Sequence, residues 1–238
     1  MKCRFCFSGL VLPGIAAFTM VAVLFATGCK KNPSEVSGRK TEEKMAGREQ
    51  VKTDTAAKRV KLETSMGDIV IELNEKAAPV TVKNFLRYTE DGYYAGTVFH
   101  RVISNFMIQG GGFTAALDDK MAREPIINEG NNGLKNERGT VTMARRDNPN
   151  SANSQFFINV KANAYLNYAG PANPGYAVFG KVVEGMDVVD KIAAVKTATR
   201  KGMSDVPVEP VVIKSAKVIS ATAQTADKSG GQETAKPQ

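Results

Sequence analysis

Two short runs of strand-like pattern open the central part of the chain, Val60-Lys61-Leu62-Glu63-Thr64 and Asp68-Ile69-Val70-Ile71-Glu72-Leu73. Ser65-Met66-Gly67 between them has the spacing and turn chemistry of a hairpin. The period then changes. From Ala78 to Tyr88 the apolar positions fall at helical spacing, with Val82, Phe85, Leu86 and Thr89 on one face and Pro79 at a first helical position, where a missing N–H costs nothing. Strand-like segments recur over 97–103, 106–110, 139–144, 155–160, 176–183 and 208–219. A second helix fits Met186 to Val195, its stripe made by Val188, Val189, Ile192 and Ala193. Many short strands, Gly-rich connections and two well-separated helices predict a mainly β protein. The expected form is a closed antiparallel barrel with helices over its open ends, rather than alternating βαβ units.

The flanks have another character. Lys2 and Arg4 precede an apolar stretch from Phe7 to Phe25, which ends in Ala26-Thr27-Gly28-Cys29 and then Lys30-Lys31. A basic start, an apolar centre and small residues before a cleavage point make a signal peptide over 1–28. Small residues directly before a cysteine resemble the bacterial lipobox, although Ala26 stands where Leu is usual, and Cys29 is the expected lipidation site. An uncleaved anchor helix is the competing reading, weakened by Pro13 and the glycines within the run. Residues 29–58 are polar, almost without large apolar side chains, and read as a flexible tether; 221–238 reads as a tail of the same kind. The protein is therefore expected to be exported and held at a membrane on the periplasmic side, with a soluble periplasmic form as second choice. One globular domain, 59–220, remains.

Composition narrows the chemistry. A hydrophobic share of 42% with 24% charged residues excludes a wholly disordered, collagenous or many-span membrane chain. The net charge of +8 falls to +6 without Lys2 and Arg4 (30 basic, 24 acidic), and it is scattered rather than striped, so no nucleic-acid partner is expected. All three cysteines, Cys3, Cys6 and Cys29, precede residue 30, which excludes a disulfide framework or a Cys-ligated metal in the domain. His100 is the single histidine, with no acid at ligand spacing, so neither a metal nor a cofactor is expected. Gly110-Gly111-Gly112 lacks the Gly-Lys-Ser/Thr of a phosphate loop and suits a bulge or a close backbone approach.

Two segments remain distinctive. In Phe99-His100-Arg101-Val102-Ile103 the strand period places Arg101 on the face of Phe99 and Ile103, with His100 turned away as a structural residue. An arginine among apolar neighbours is uncommon, though an edge arginine snorkelling to water would also explain it. Met107 and Gln109 share a face, as do Gln155 and Phe157, with Phe156 and Ile158 opposite. Two glutamines, an arginine and soft apolar groups suit a concave, largely uncharged pocket without an acid–base pair.

Together these segments resemble the cyclophilins, peptidyl-prolyl cis–trans isomerases. The resemblance is carried by Phe99-His100-Arg101-Val102-Ile103, Phe106-Met107-Ile108-Gln109-Gly110-Gly111, Gly139-Thr140-Val141-Thr142-Met143-Ala144, Ser154-Gln155-Phe156-Phe157-Ile158 and the run from Tyr176 to Val189. It implies an eight-stranded antiparallel barrel capped by two helices, with the compact loops of the bacterial branch. It also implies a catalytic arginine at Arg101, with Gln109 near the substrate carbonyl. The proline ring would sit on Phe106, Met107, Phe157 and Leu166. The backbone of Ala144 and Arg145 would pair with substrate, and Gln155 would line the neighbouring groove. Arg145 stands where many members have Asn, Tyr165 where eukaryotic members have Trp and Tyr176 where they have His. The expected partners are proline-containing peptides and unfolded proteins, the expected state is a monomer, and no cofactor is implied. A proline-directed binding module, with turnover incidental, is the alternative from another class; loss of Arg101 with a retained groove would have favoured it.

Overall fold

A computed structural model describes residues 57–219. The expected signal peptide, Cys29, the tether up to residue 56 and the tail lie outside the described residues. The first strands, β1 (Arg59–Thr64) and β2 (Gly67–Leu73), pair antiparallel from Arg59↔Glu72 to Thr64↔Gly67. The hairpin is closed by the Thr64 hydroxyl, which donates to the Gly67 carbonyl at 2.6 Å and accepts the Met66 N–H at 3.0 Å. Helix α1 (Pro79–Glu90) buries Val82, Phe85, Leu86 and Thr89 as the pattern required. Ala78 has no side-chain acceptor for the free N–H groups of its first turn. The Glu129 carboxylate supplies one from a distant loop, accepting from the N–H of Val80 (3.1 Å) and Thr81 (2.8 Å).

The remaining elements are β3 (Thr97–Ile103), β4 (Met107–Thr114), β5 (Thr140–Met143), β6 (Phe156–Asn159), β7 (Val178–Glu184), α2 (Met186–Ala193), β8 (Thr197–Arg200), β9 (Met203–Pro207) and β10 (Ile213–Ile219). Eight of the strands form one antiparallel sheet in the order β10-β1-β2-β7-β5-β6-β4-β3. The sheet curls until its end strands meet, through a Val98↔Val212 bridge and hydrogen bonds from Phe99 N–H to the Val211 carbonyl and Gly96 N–H to that of Ile213. Inside lie Leu62, Ile71, Phe85, Phe99, Ile108, Phe156, Ile158 and Phe179, all essentially without exposure.

Two expectations are corrected. The strand expected over 208–219 begins only at Ile213, and a separate two-stranded sheet, β8 with β9, precedes it. All four residues of β8 are exposed, so no apolar alternation announced it. The face assigned to Arg101 also needs revision. The β3–β4 register shifts between Phe99 and Arg101, so Phe99 enters the core while Arg101 points outward with Ile103. A bulge of this kind breaks the strict alternation on which that assignment rested.

Candidate active site

The outer face of β3, β4 and β6 carries the site. Cross-strand pairing aligns Arg101 with Gln109 and Gln109 with Phe157, a row running directly across three strands. Two register positions along, on the same face, Ile103 faces Met107. Met107, Phe157 and Leu166 are buried together in a small apolar cluster separate from the main core, with Ile103, Phe106, Ala144 and Tyr176 packed against it. Leu166 arrives on a short 3-10 turn, Ala164–Leu166. Four of these seven, Phe106, Met107, Phe157 and Leu166, are the residues on which the resemblance placed the ring pocket. Ile103 was not singled out, although strand parity already put it beside Arg101.

The pocket has an aromatic rim. Tyr165, 65% exposed, stacks on Phe106 with centroids 5.8 Å apart. Tyr176 meets Phe157 edge-on at 6.0 Å, and the Arg145 guanidinium covers the Tyr176 ring at 4.3 Å. Arg145 is held by the carbonyls of Gly175 (3.0 Å) and Arg146 (2.8 Å). Its side chain is therefore engaged in the wall, not only its backbone. Partial desolvation raises the Tyr165 phenol above its ordinary pKa, against the opposing charge of Arg101.

The Arg101 side chain is exposed and makes no hydrogen bond or ion pair among the described residues. Beside it the Gln109 amide donates to the Gln155 side-chain carbonyl at 3.0 Å. Gln155 lies against Gly112, where a Cβ would come within 2.5 Å of it, so the backbone approach expected of the glycine run makes room for this glutamine. Both glutamines, with Ala144, Arg145, Arg146, Asn153 and Lys120, line an adjoining polar groove of about 390 Å³. A larger cavity of about 820 Å³, between the end of β2 and the 133–137 loop, contains none of the predicted site residues.

What the arrangement can do follows from its parts. An outward-facing apolar cluster can pack against a compact apolar ring, a charged donor fork stands at its edge, and glutamines offer hydrogen bonds along one side. No cluster of three or more metal-ligating side chains occurs among the described residues.

Residues 59–218 match the family model described as cyclophilin type peptidyl-prolyl cis-trans isomerase/CLD. The chain is 59% identical over 162 residues to peptidyl-prolyl cis-trans isomerase cyp18 of Streptomyces antibioticus, covering 67% of this chain and 98% of that protein. It is 56% identical over 162 residues to peptidyl-prolyl cis-trans isomerase B of Escherichia coli, with the same coverage of 67% and 98%. Among solved structures, it is similar to a cyclophilin type isomerase of Cryptosporidium parvum crystallised in the presence of the dipeptide Ala-Pro. That likeness has a TM-score of 0.57 and 29% identity, covering 68% of this chain and 98% of that one.

Proposed function

The chain belongs to the cyclophilin-type peptidyl-prolyl cis–trans isomerases, and from that premise we propose how its own residues turn over an X–Pro bond and where in the cell they do so. The protein is a peptidyl-prolyl isomerase and binds proline-containing peptides. Its ring pocket is the cluster of Phe106, Met107, Phe157 and Leu166, and its catalytic donor is Arg101. The single observation that carries this assignment is a separate outward-facing apolar cluster whose Phe157 shares a cross-strand row, through Gln109, with a side chain of Arg101 that has no partner among the described residues.

The chemistry is rotation, not bond breaking. Partial double-bond character sets a barrier of ~18–20 kcal/mol, while X–Pro isomers differ by only ~0.5–1 kcal/mol. At the twisted midpoint resonance is lost and the imide nitrogen regains a lone pair. A donor aimed there stabilises the twisted state more than either planar one, which is what accelerates turnover. The Arg101 guanidinium offers fixed donors without a proton transfer. The ring cluster holds the proline still while the preceding carbonyl swings towards Gln109. The Ala144 N–H is already given to the Gln155 carbonyl at 3.0 Å, so substrate pairing at this edge falls to the Ala144 carbonyl and the Arg145 backbone. Gln155 lines the adjoining groove.

The setting of this activity is the export route. Lys2, Arg4, the apolar run and Ala26-Thr27-Gly28-Cys29 support a lipidated Cys29, a periplasmic membrane anchor and unfolded exported proteins as clients. Mass spectrometry of the membrane fraction is expected to find a diacylglyceryl group on Cys29; an intact Met1 or cleavage elsewhere would refute the anchor.

The site assignment is tested by paired measurements on folded variants. Arg101→Ala is expected to lower kcat/KM by about 10²–10³, the scale of losing one preorganised transition-state donor. Peptide Kd should change much less. Phe106→Ala should weaken binding and turnover together. An Arg101→Ala enzyme within a few-fold of native would make the groove a proline-binding module instead.

A further inference from the structure

Behind the ring pocket lies a group of buried amides and hydroxyls that no step of the isomerisation uses. Asn136, Asn159, Asn163 and Thr142 are each at most 1% exposed. The Asn159 amide donates to the Thr140 hydroxyl (2.9 Å), the Thr142 hydroxyl (3.2 Å) and the Asn136 side-chain carbonyl (3.2 Å). The Thr142 hydroxyl also donates to that Asn136 carbonyl at 3.0 Å. These contacts tie β5 to the end of β6 and to the 136 loop.

Asn163 extends the group towards the pocket. Its amide nitrogen donates to Asn159 Oδ1 at 2.7 Å and to the backbone carbonyl of Phe106 at 3.0 Å. A backbone carbonyl can only accept, so the amide must turn its nitrogen this way. That orientation leaves Asn163 Oδ1 buried with no partner among the described residues, whereas a flipped amide would set it against two acceptor oxygens. On the main-chain side, the Asn163 N–H donates to the Asn136 carbonyl (2.7 Å) and its carbonyl accepts the Leu166 N–H (2.9 Å). Leu166 in turn accepts the Tyr176 N–H at 3.0 Å. The Val160 N–H also reaches the Phe106 carbonyl, at 3.0 Å, but it joins Phe106 to the end of β6 alone. Among the described residues, Asn163 is the one whose side chain grips the Phe106 backbone and whose main chain carries the turn bearing Leu166.

We infer that Asn163 is a positioning residue that sets the separation between the Phe106 and Leu166 walls, and thereby the ring size the pocket accepts. The inference rests on the assignment of Phe106, Met107, Phe157 and Leu166 as the ring pocket. A tight apolar pocket discriminates one methylene by about 10–200-fold, so the six-membered pipecolic acid ring is a gauge of wall separation. Losing the tie lets the walls spread, which harms the fit of proline and relieves the fit of the larger ring.

The experiment compares kcat and KM for otherwise identical Ala-Pro and Ala-pipecolyl peptides in the full-length protein. Asn163→Ala is expected to raise KM for the prolyl peptide more than it lowers kcat, and to shrink the prolyl-to-pipecolyl ratio of kcat/KM by about three-fold or more. A purely structural loss lowers both substrates equally and leaves the ratio fixed. Asn163→Ser keeps a small polar group in this buried cluster but is too short to make the Phe106 contact that Asn163 Nδ2 makes. It is expected to shift the ratio in the same direction, and it serves where the alanine variant folds poorly. Thr140→Ala, which breaks the group without touching the Phe106 tie, is expected to lower thermal stability with the ratio unchanged. An unchanged ratio in both Asn163 variants overturns the positioning role. If Phe106→Ala leaves prolyl turnover intact, the ring-pocket assignment itself fails, a different result from impaired Phe106→Ala with an unmoved Asn163 ratio.

Discussion

On β4 and β6, neighbouring residues of one strand serve two different assemblies. Ile108, Phe156 and Ile158 turn into the barrel, where Phe156 packs edge-on against Phe85 and Tyr94, each at 5.5 Å, and Phe99 at 6.2 Å. Met107, Gln109 and Phe157 turn outward to the pocket and the polar row beside it. Both sets contain well-buried apolar groups, Phe156 at 0% and Phe157 at 4% exposure, so burial alone does not separate them. What separates them is enclosure. The inner set is surrounded by strands and α1, whereas the outer set is edged by the exposed Arg101 and Tyr165 and by half-buried Gln109 and Gln155. The outer face keeps open what the inner face closes, and the pleat lets a mutation address one without the other.

The largest effect is expected from the inner face. Phe156→Ala removes a ring held by three others, and aromatic-to-alanine changes in cores cost ~3–5 kcal/mol. Urea unfolding should show that loss, while kcat/KM per folded molecule stays near native. A large fall in turnover with unchanged unfolding would show that the two faces are not separable in this way.

A smaller effect, conditional on pH, belongs to the flank where the β3 bulge lies. His100 is 5% exposed, its ring sits 4.6 Å from Phe113, and its Nδ1 has no partner among the described residues. Burial pulls its pKa from 6.5 down to about 4, with Arg101's charge adding to the depression and a hydrogen bond with the Val98 backbone and Asp119 opposing it. The unfolded chain therefore takes the proton first as pH falls. Stability is untouched above about 6.5 and lost between there and about 4, by at most about 3 kcal/mol. His100→Gln should flatten this part of the stability profile. Equal pH slopes for native and variant would refute it, as would a steep kcat/KM transition near neutrality, since a neutral His100 leaves the Arg101 mechanism flat there.

The division between faces also explains what the sequence could reveal. The β1–β2 hairpin, α1 and α2 were legible because each buries one stripe against one core, which is what a period of two or 3.6 encodes. On β6 the alternation put Phe156 and Ile158 opposite Gln155 and Phe157, correctly, but pattern alone could not say which apolar face was pocket; the family motifs supplied that. The bulge at Arg101 escaped because it is set by pairing with β4, not by local composition. β8 escaped because Thr197 to Arg200 bury nothing. The Asn136–Asn159–Asn163 group was invisible for a third reason: three asparagines spread over strand and loop acquire meaning only when the barrel brings their amides together.

The smallest expected effect lies at the most open point of the outer face. Tyr165 stands 65% exposed with its ring stacked on Phe106, so it contributes little to the fold and steadies one wall of the pocket. Aromatic pairs of this kind are worth ~0.5–1.5 kcal/mol beyond their buried area. Tyr165→Ala is therefore expected to raise the Kd of a proline peptide by about two- to ten-fold, since 1.4 kcal/mol is tenfold in affinity. The melting temperature should stay where it is, because no core contact is removed. Tyr165→Phe should behave as native, since the stack needs the ring and not the hydroxyl. A Tyr165→Phe enzyme as impaired as the alanine variant would assign the effect to the phenol, and the rim would then act on substrate by hydrogen bonding rather than by holding Phe106.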